Sequence, residues 1–164
     1  MTLTTHAVVG AAIAGALADK PILAILLAFL SHFILDAIPH WDYTPRSAVR
    51  NPDRPLDNDL KIGHAFFFDL LVIAGDFFLG LFLAALVFYS APAHVVLIAL
   101  LGAIAAMAPD FLQFVYMKWR HEPMTSLQRF HLASHAKRDL KAYPVAGVTI
   151  QLIVILIATA FVIY

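Results

Sequence analysis

The sequence predicts an all-α, polytopic membrane helical bundle. It would comprise four long transmembrane helices, a short N-terminal membrane helix and an interfacial amphipathic helix. Two observations carry this expectation. Of 164 residues, 62% are hydrophobic and 13% charged, where a soluble domain is about half apolar and about a quarter charged. A soluble protein of this size has no interior large enough for that much apolar surface, so the bilayer is its natural solvent. The apolar residues also fall into runs close to or above the ~20 that a spanning helix needs.

Taken in order, His6 to Ala18 is a short segment rich in Gly and Ala. Its length fits a short tilted span, a re-entrant segment or a close-packed interface helix. No basic residue precedes it and Lys20 follows it, so it reads as retained membrane structure and not as a signal peptide. After the "ADKP" turn come the four long runs: Pro21 to Ile38, Ile62 to Ser90, Pro92 to Met117 and Pro144 to Tyr164. The whole chain, 1–164, reads as one integral-membrane domain.

Two polar connections remain. Trp41 to Lys61 is rich in Pro, Asp and Arg without helical periodicity, and reads as a loop. Lys118 to Tyr143 carries six basic residues against two acidic ones, a net of +4. Within it, "TSLQRFHLASHAKRDLKAY" predicts an interfacial helix capped by Thr125 or Ser126 and running towards Pro144. Leu127, Phe130 and Leu140 would dip into the bilayer. Two spans separate the polar connections, so both lie on one side, and the positive-inside rule makes that side cytoplasmic. The localisation expected is a bacterial or archaeal cytoplasmic membrane.

Several function classes find no foothold. Eleven basic and eleven acidic residues cancel, leaving no basic field for nucleic acid. The absence of cysteine excludes thiolate metal sites and cysteine nucleophiles. There is no GxSxG, P-loop or GxGxxG, and no lysine inside a span for Schiff-base chemistry.

What the spans do contain is metal-ligand chemistry. In "SHFILDAIPHWD", His32, Asp36 and His40 are spaced four apart and so share a helical face, a stripe climbing about 12 Å. Imidazole and carboxylate suit zinc, manganese or iron. "FHLASHAKRD" repeats the spacing with His131, His135 and Asp139 on the same side of the membrane. Asp69 and Asp110 lie at a depth matching His32 and Asp36, where unpaired carboxylates are expensive. Asp76 is deeper and reads as a structural group or one standing behind the ligands. "LDAIPHWD" and "AAMAPDFLQ" echo each other: Pro39–His40 and Pro109–Asp110 both fall near the end of a span.

These residues carry a resemblance. "TTHAVVGAA", "SHFILDAIPHWD", "MAPDFLQ" and "FHLASH" make the chain similar to the bacterial and archaeal membrane-bound metal-dependent hydrolases, small helical inner-membrane proteins. The first helix end reads "PHWD" where that family has "PDxD". More distantly, the HxxxD and PD elements resemble the zinc-dependent phospholipase C group. The resemblance implies a metal-dependent hydrolase in which a metal-activated water attacks a phosphoester of a lipid or another membrane-associated substrate. Its cofactor would be a divalent metal, zinc first, in a mononuclear or dinuclear site. The expected ligands are His6, His32, Asp36, His40, Asp110, His131 and His135. Asp42 or Asp69 would act as general base or orient a ligand imidazole. Arg129, Lys137 and Arg138 would draw an anionic headgroup. Two rival readings are an ion- or proton-coupled transporter using Asp69, Asp76 and Asp110, and a non-catalytic module sensing pH or metal.

Overall fold

In the computed structural model the described residues, 1–137 and 140–163, form six helices: α1 (Leu3–Ala16), α2 (Pro21–Asp36), α3 (His64–Val87), α4 (Ala93–Lys118), α5 (Met124–Ser134) and α6 (Pro144–Ile163). Three of them, α3, α4 and α6, are long and apolar enough to cross a membrane. Their outer faces expose Phe67, Leu71, Phe78, Phe82, Leu156 and Phe161. A contiguous apolar surface of that kind belongs in lipid.

The expected fourth long span is shorter than predicted. Helix α2 has 16 residues, about 24 Å of rise against a hydrocarbon core of about 30 Å. It stops at Asp36, three residues before Pro39, because the residue preceding a proline disfavours helical geometry and the chain must turn.

Helix α1 is the centre of the bundle, packed against α2, α3, α4 and α6. Ten consecutive residues, Leu3 to Ala12, are all buried. Its Gly and Ala content permits this. A Cβ on Gly10 would stand 2.6 Å from the Gly102 carbonyl oxygen, and one on Gly102 would stand 2.7 Å from that of Gly10. The two backbones therefore cross with nothing between them, which is how small residues drive helix association in lipid. Gly80 of α3 plays the same part against Ala7 and Thr4. The apolar cluster around Ala7, Ala11, Ala84, Ala99 and Ala103 is the main core.

The N-terminus of α1 lies inside the bundle, and its free N–H groups need acceptors there. Asp76, in the middle of α3, supplies them. It accepts from Leu3 N–H at 2.7 Å, Thr4 N–H at 3.0 Å and the Thr4 hydroxyl at 2.5 Å. A carboxylate at a helix N-terminus also complements the helix dipole. Gln151 of α6 adds a second anchor. Its Oε1 accepts from Thr2 N–H at 2.9 Å and from the Thr5 hydroxyl at 3.1 Å, while its amide donates to Trp41 O at 2.9 Å.

The connection between α2 and α3 is ordered by a minimal hairpin. Strand β1 (Ala48–Val49) pairs antiparallel with β2 (Asp59–Leu60), around a 3-10 turn at Pro55–Asp57. Asp69 ties this loop to α3 by accepting from Arg46 N–H and Ser47 N–H at 2.9 and 2.8 Å. Lys118 and Arg120 tie it to the end of α4 through Asp59 and the Leu56 carbonyl.

The interfacial helix is shorter than expected and differently capped. No side-chain cap comes from Thr125 or Ser126; instead Glu122 accepts the Ser126 N–H at 3.1 Å. Helix α5 ends at Ser134, and His135 is extended. The chain leaves the helix because its backbone finds other partners: Ala136 N–H donates to Asp36 O at 2.7 Å and Leu140 N–H to His40 O at 3.1 Å. The predicted helix therefore does not continue over 135–137, and Asp139 lies outside the described residues.

Candidate metal centre

Five histidines and one further aspartate, from four helices and two helix ends, converge on Asp36. Helix α2 places His32 and Asp36 one turn apart on its buried face, with His32 Nε2 3.2 Å from Asp36 Oδ2. Helix α5 brings His131 Nε2 to 3.2 Å from the same oxygen and 3.3 Å from His32 Nε2. Helix α4 adds Asp110, whose Oδ1 is 3.7 Å from His32 Nε2 and 3.9 Å from His131 Nε2. Helix α1 adds His6, stacked on His32 at 4.0 Å between ring centroids, with Nε2 3.2 Å from Asp36 Oδ1.

His40 and His135 arrive by a different route from the one their spacing predicts. Helix α2 has ended before His40, so the expected three-residue stripe is a two-residue stripe followed by a turn. That turn is held by His40 Nδ1 donating to Ile38 O at 2.7 Å, and it leaves His40 Nε2 4.0 Å from Asp36 Oδ1. His135, just past α5, brings its Nε2 to 3.8 Å from Asp36 Oδ2. The donors form two groups of ligating atoms, His32–Asp36–Asp110–His131 and Asp36–His40–His135, with Asp36 common to both.

Hydrogen bonding decides which nitrogens are lone pairs. His32 Nδ1 faces the Ala106 carbonyl at 2.8 Å, and a carbonyl can only accept. The proton therefore sits on Nδ1, and in the neutral ring Nε2 carries the lone pair, facing His131 and Asp36. The same logic holds for His40. Such outer hydrogen bonds are what orient metal-ligating imidazoles. His6 is fully buried with neither ring nitrogen in a well-directed hydrogen bond, despite the short distance to Asp36. A buried imidazole without a partner is costly, and a cation beside Asp36 is the partner this donor set accepts. The ammonium of Met1, 2.5 Å from Asp36 Oδ1, already pairs with that oxygen and leaves Oδ2 facing His32, His131 and His135. The residues present thus fit a divalent cation held by nitrogen and oxygen.

Burial gives the site a direction. His6, His32, Asp36, His40 and His131 are buried, whereas the Asp110 and His135 side chains keep 33% and 39% exposure. Those two border a cavity of about 950 Å³ that also contains Asp42, Tyr43 and Lys137. Burial pushes the Asp42 carboxyl up to about 6. Burial also holds His40 and His135 below the usual histidine value, so both favour the neutral, ligating form.

The other predicted residues are placed as follows. Asp42 lines the cavity, and so does Asp69, although both Asp69 oxygens are engaged by the loop backbone. Lys137 stands at the cavity, Arg129 is exposed on α5 away from its lining, and Arg138 lies outside the described residues. Sequence reasoning missed Gln151. Its signal was available: an amide inside an otherwise apolar span is a marker of interhelical hydrogen bonding. Comparison of the chain with protein-family models, curated proteins and solved structures finds no match.

Proposed function

We propose that the chain is a metal-dependent hydrolase at the cytoplasmic face of a membrane, acting on a phosphoester of a lipid or another membrane-associated substrate. The observation that supports this reading is the convergence on Asp36 of five imidazoles and one further carboxylate, next to a cavity large enough for a ligand. The net +4 of the second connection favours the cytoplasmic orientation.

His32, Asp36, Asp110 and His131 would hold one divalent cation, and Asp36, His40 and His135 a second. Zinc, manganese and iron all suit these donors. Such a cation, when bound, lowers the pKa of a coordinated water and polarises a phosphoryl oxygen. The chain's own residues supply the rest. The Ala106 and Ile38 carbonyls orient His32 and His40. Asp42, in the cavity, takes up a proton at its carboxylate. Lys137 draws an anionic group to the mouth, and the buried ring of His6 and His32 excludes water from behind.

The experiment is metal analysis of detergent-purified protein, wild type beside His32→Ala and His131→Ala, followed by phosphodiester and phospholipid hydrolysis assays. Metal lost in both variants together with turnover in wild type supports the reading. Equal metal in all three overturns the shared site. Metal-loaded protein that turns over nothing while its proteoliposomes conduct ions would favour the transporter reading.

A further inference from the structure

The cavity beside the cluster is not uniformly polar, and its shape follows from the length of α1. That helix wedges between α3 and α4, but only over part of their length. It begins at Leu3, against Asp76 of α3, and runs from there towards Phe88 and Gly102. Towards the loops α1 gives out, and only its first residue, Leu3, reaches the cavity between α3 and α4. There α3 turns one helical stripe to the gap, Leu70, Ile73, Ala74 and Phe77. Helix α4 turns another, Ile104, Met107, Ala108 and Phe111. Both follow the i, i+3, i+4, i+7 spacing of a packed helix face. Ile73, Phe77 and Met107 also pack against the core around Leu3, and together the two stripes line one arm of the cavity. Ala74 and Ala108 place the smallest side chains of the lining in the middle of each stripe.

One end of the arm opens sideways and the other ends at the metal-ligating cluster. At the rim, Leu70 and Phe111 are 49% and 65% exposed on helices whose outer faces are lipid-facing. At the inner end stand Asp110, His135 and Asp42, with Lys137 and Arg50 beside them. Phe66 and Phe114 span the same gap by stacking at 5.8 Å between centroids. A hydrocarbon chain is the apolar object in a bilayer that fits such a slot, and basic groups at its inner end match an anionic head.

We propose that this arm binds one acyl chain of an anionic phospholipid, admitted laterally from the bilayer between α3 and α4, with its phosphate-bearing head delivered to the cluster around Asp36. This deepens the hydrolase reading by naming its substrate class, and it rests on that reading for the fate of the head. The binding itself is testable without turnover.

The test uses the full chain in detergent micelles with phosphatidylglycerol added at a fixed molar ratio, and native mass spectrometry to count lipid adducts. Ala74→Trp and Ala108→Trp fill the arm, and Leu71→Trp places the same ring on the outer face of α3. At least a five-fold fall in adducts for both arm variants, with Leu71→Trp and metal content at the wild-type level, is the expected result. Equal adducts in arm and outer-face variants overturn the proposal. Phosphatidylglycerol bearing a photoreactive group in its acyl chain gives a readout on the unmodified protein. Labelling within 70–77 and 104–111 supports the arm, and labelling confined to α2 and α6 overturns it. Adducts in the arm without hydrolysis would keep the binding site and remove the hydrolase reading. Hydrolysis of a soluble phosphodiester with no adducts in the arm would do the reverse.

Discussion

The Nε2 atoms of His32 and His131 lie 3.3 Å apart, and each is 3.2 Å from the same oxygen of Asp36. Two imidazole nitrogens and a carboxylate oxygen this close, in a buried pocket, need a cation or a shared proton between them. The first prediction follows. His32→Ala and His131→Ala each lower divalent-metal affinity by at least about ten-fold, since even residues behind the ligands are worth that much. Asp36→Asn lowers it further, because Asp36 belongs to both ligand groups. Equilibrium dialysis with zinc or manganese measures it, and wild-type affinity in Asp36→Asn would refute a site centred on that carboxylate.

Much of this arrangement was legible in the sequence, and the boundary of what was legible is physical. Four-residue spacing correctly paired His32 with Asp36, because both are inside α2 and local periodicity governs there. The same spacing named His40 and His135, but neither sits on its helix. Periodicity carries no information on where a helix gives way to non-local hydrogen bonds, and here Ala136 pairs with Asp36 and Leu140 with His40. The length of α2 was overestimated for a related reason: apolar composition continues to Ile38 while the helix stops at Asp36. Asp76 was read as structural from its depth. Its partner, the start of α1, lies 73 positions away and only the folded chain reveals it.

Asp76 gives the second prediction. Asp76→Ala leaves the N–H groups of Leu3 and Thr4 without their acceptor, while the Thr4 hydroxyl keeps the backbone carbonyl of residue 76 at 3.1 Å. Unmet polar groups of this kind cost about 1–3 kcal/mol each in a protein interior, and less where the membrane-unfolded state finds other partners. A net destabilisation of roughly 2–4 kcal/mol is expected, with Asp76→Asn milder because its amide oxygen still accepts. Denaturant unfolding in micelles reads both values. Stability unchanged in Asp76→Ala would instead leave this carboxylate available for ion relay.

The α1–α4 crossing gives the third. Any side chain at Gly10 meets the Gly102 carbonyl, and any at Gly102 meets that of Gly10, so the backbones themselves must separate. Overpacking of this sort costs typically about 1–3 kcal/mol. Gly102→Val should therefore lower the unfolding temperature. It should also weaken metal binding, because α1 carries His6 and α4 carries Asp110 to the same site. Gly75→Val, where a Cβ meets nothing within 4 Å, is the control. Equal effects of the two substitutions would contradict close backbone packing as the cause.

The loop over the cavity gives the last prediction, and its sign is set by Asp59. Burial tends to raise the Asp59 carboxyl, but the Lys118 ammonium at 2.6 Å and the Leu60 N–H outweigh it, and the group lies below its ordinary value. A depressed acid contributes stability that is fully present above its unfolded value of 3.8 and is lost as the pH falls through the lower folded value. Loop docking should thus be flat from neutral pH down to about 4 and fail only in stronger acid. Because the pair is partly exposed, the loss is local, no more than about 1 kcal/mol. Trp119 adjoins Lys118, so its fluorescence should report the transition. Asp59→Asn should lack that transition and expose the Arg50–Asn51 bond to trypsin at neutral pH. A loop in Asp59→Asn as trypsin-resistant as wild type would show that the Leu56 carbonyl, held by Arg120 at 3.1 Å and by the Tyr116 hydroxyl at 3.0 Å, anchors it without the ion pair.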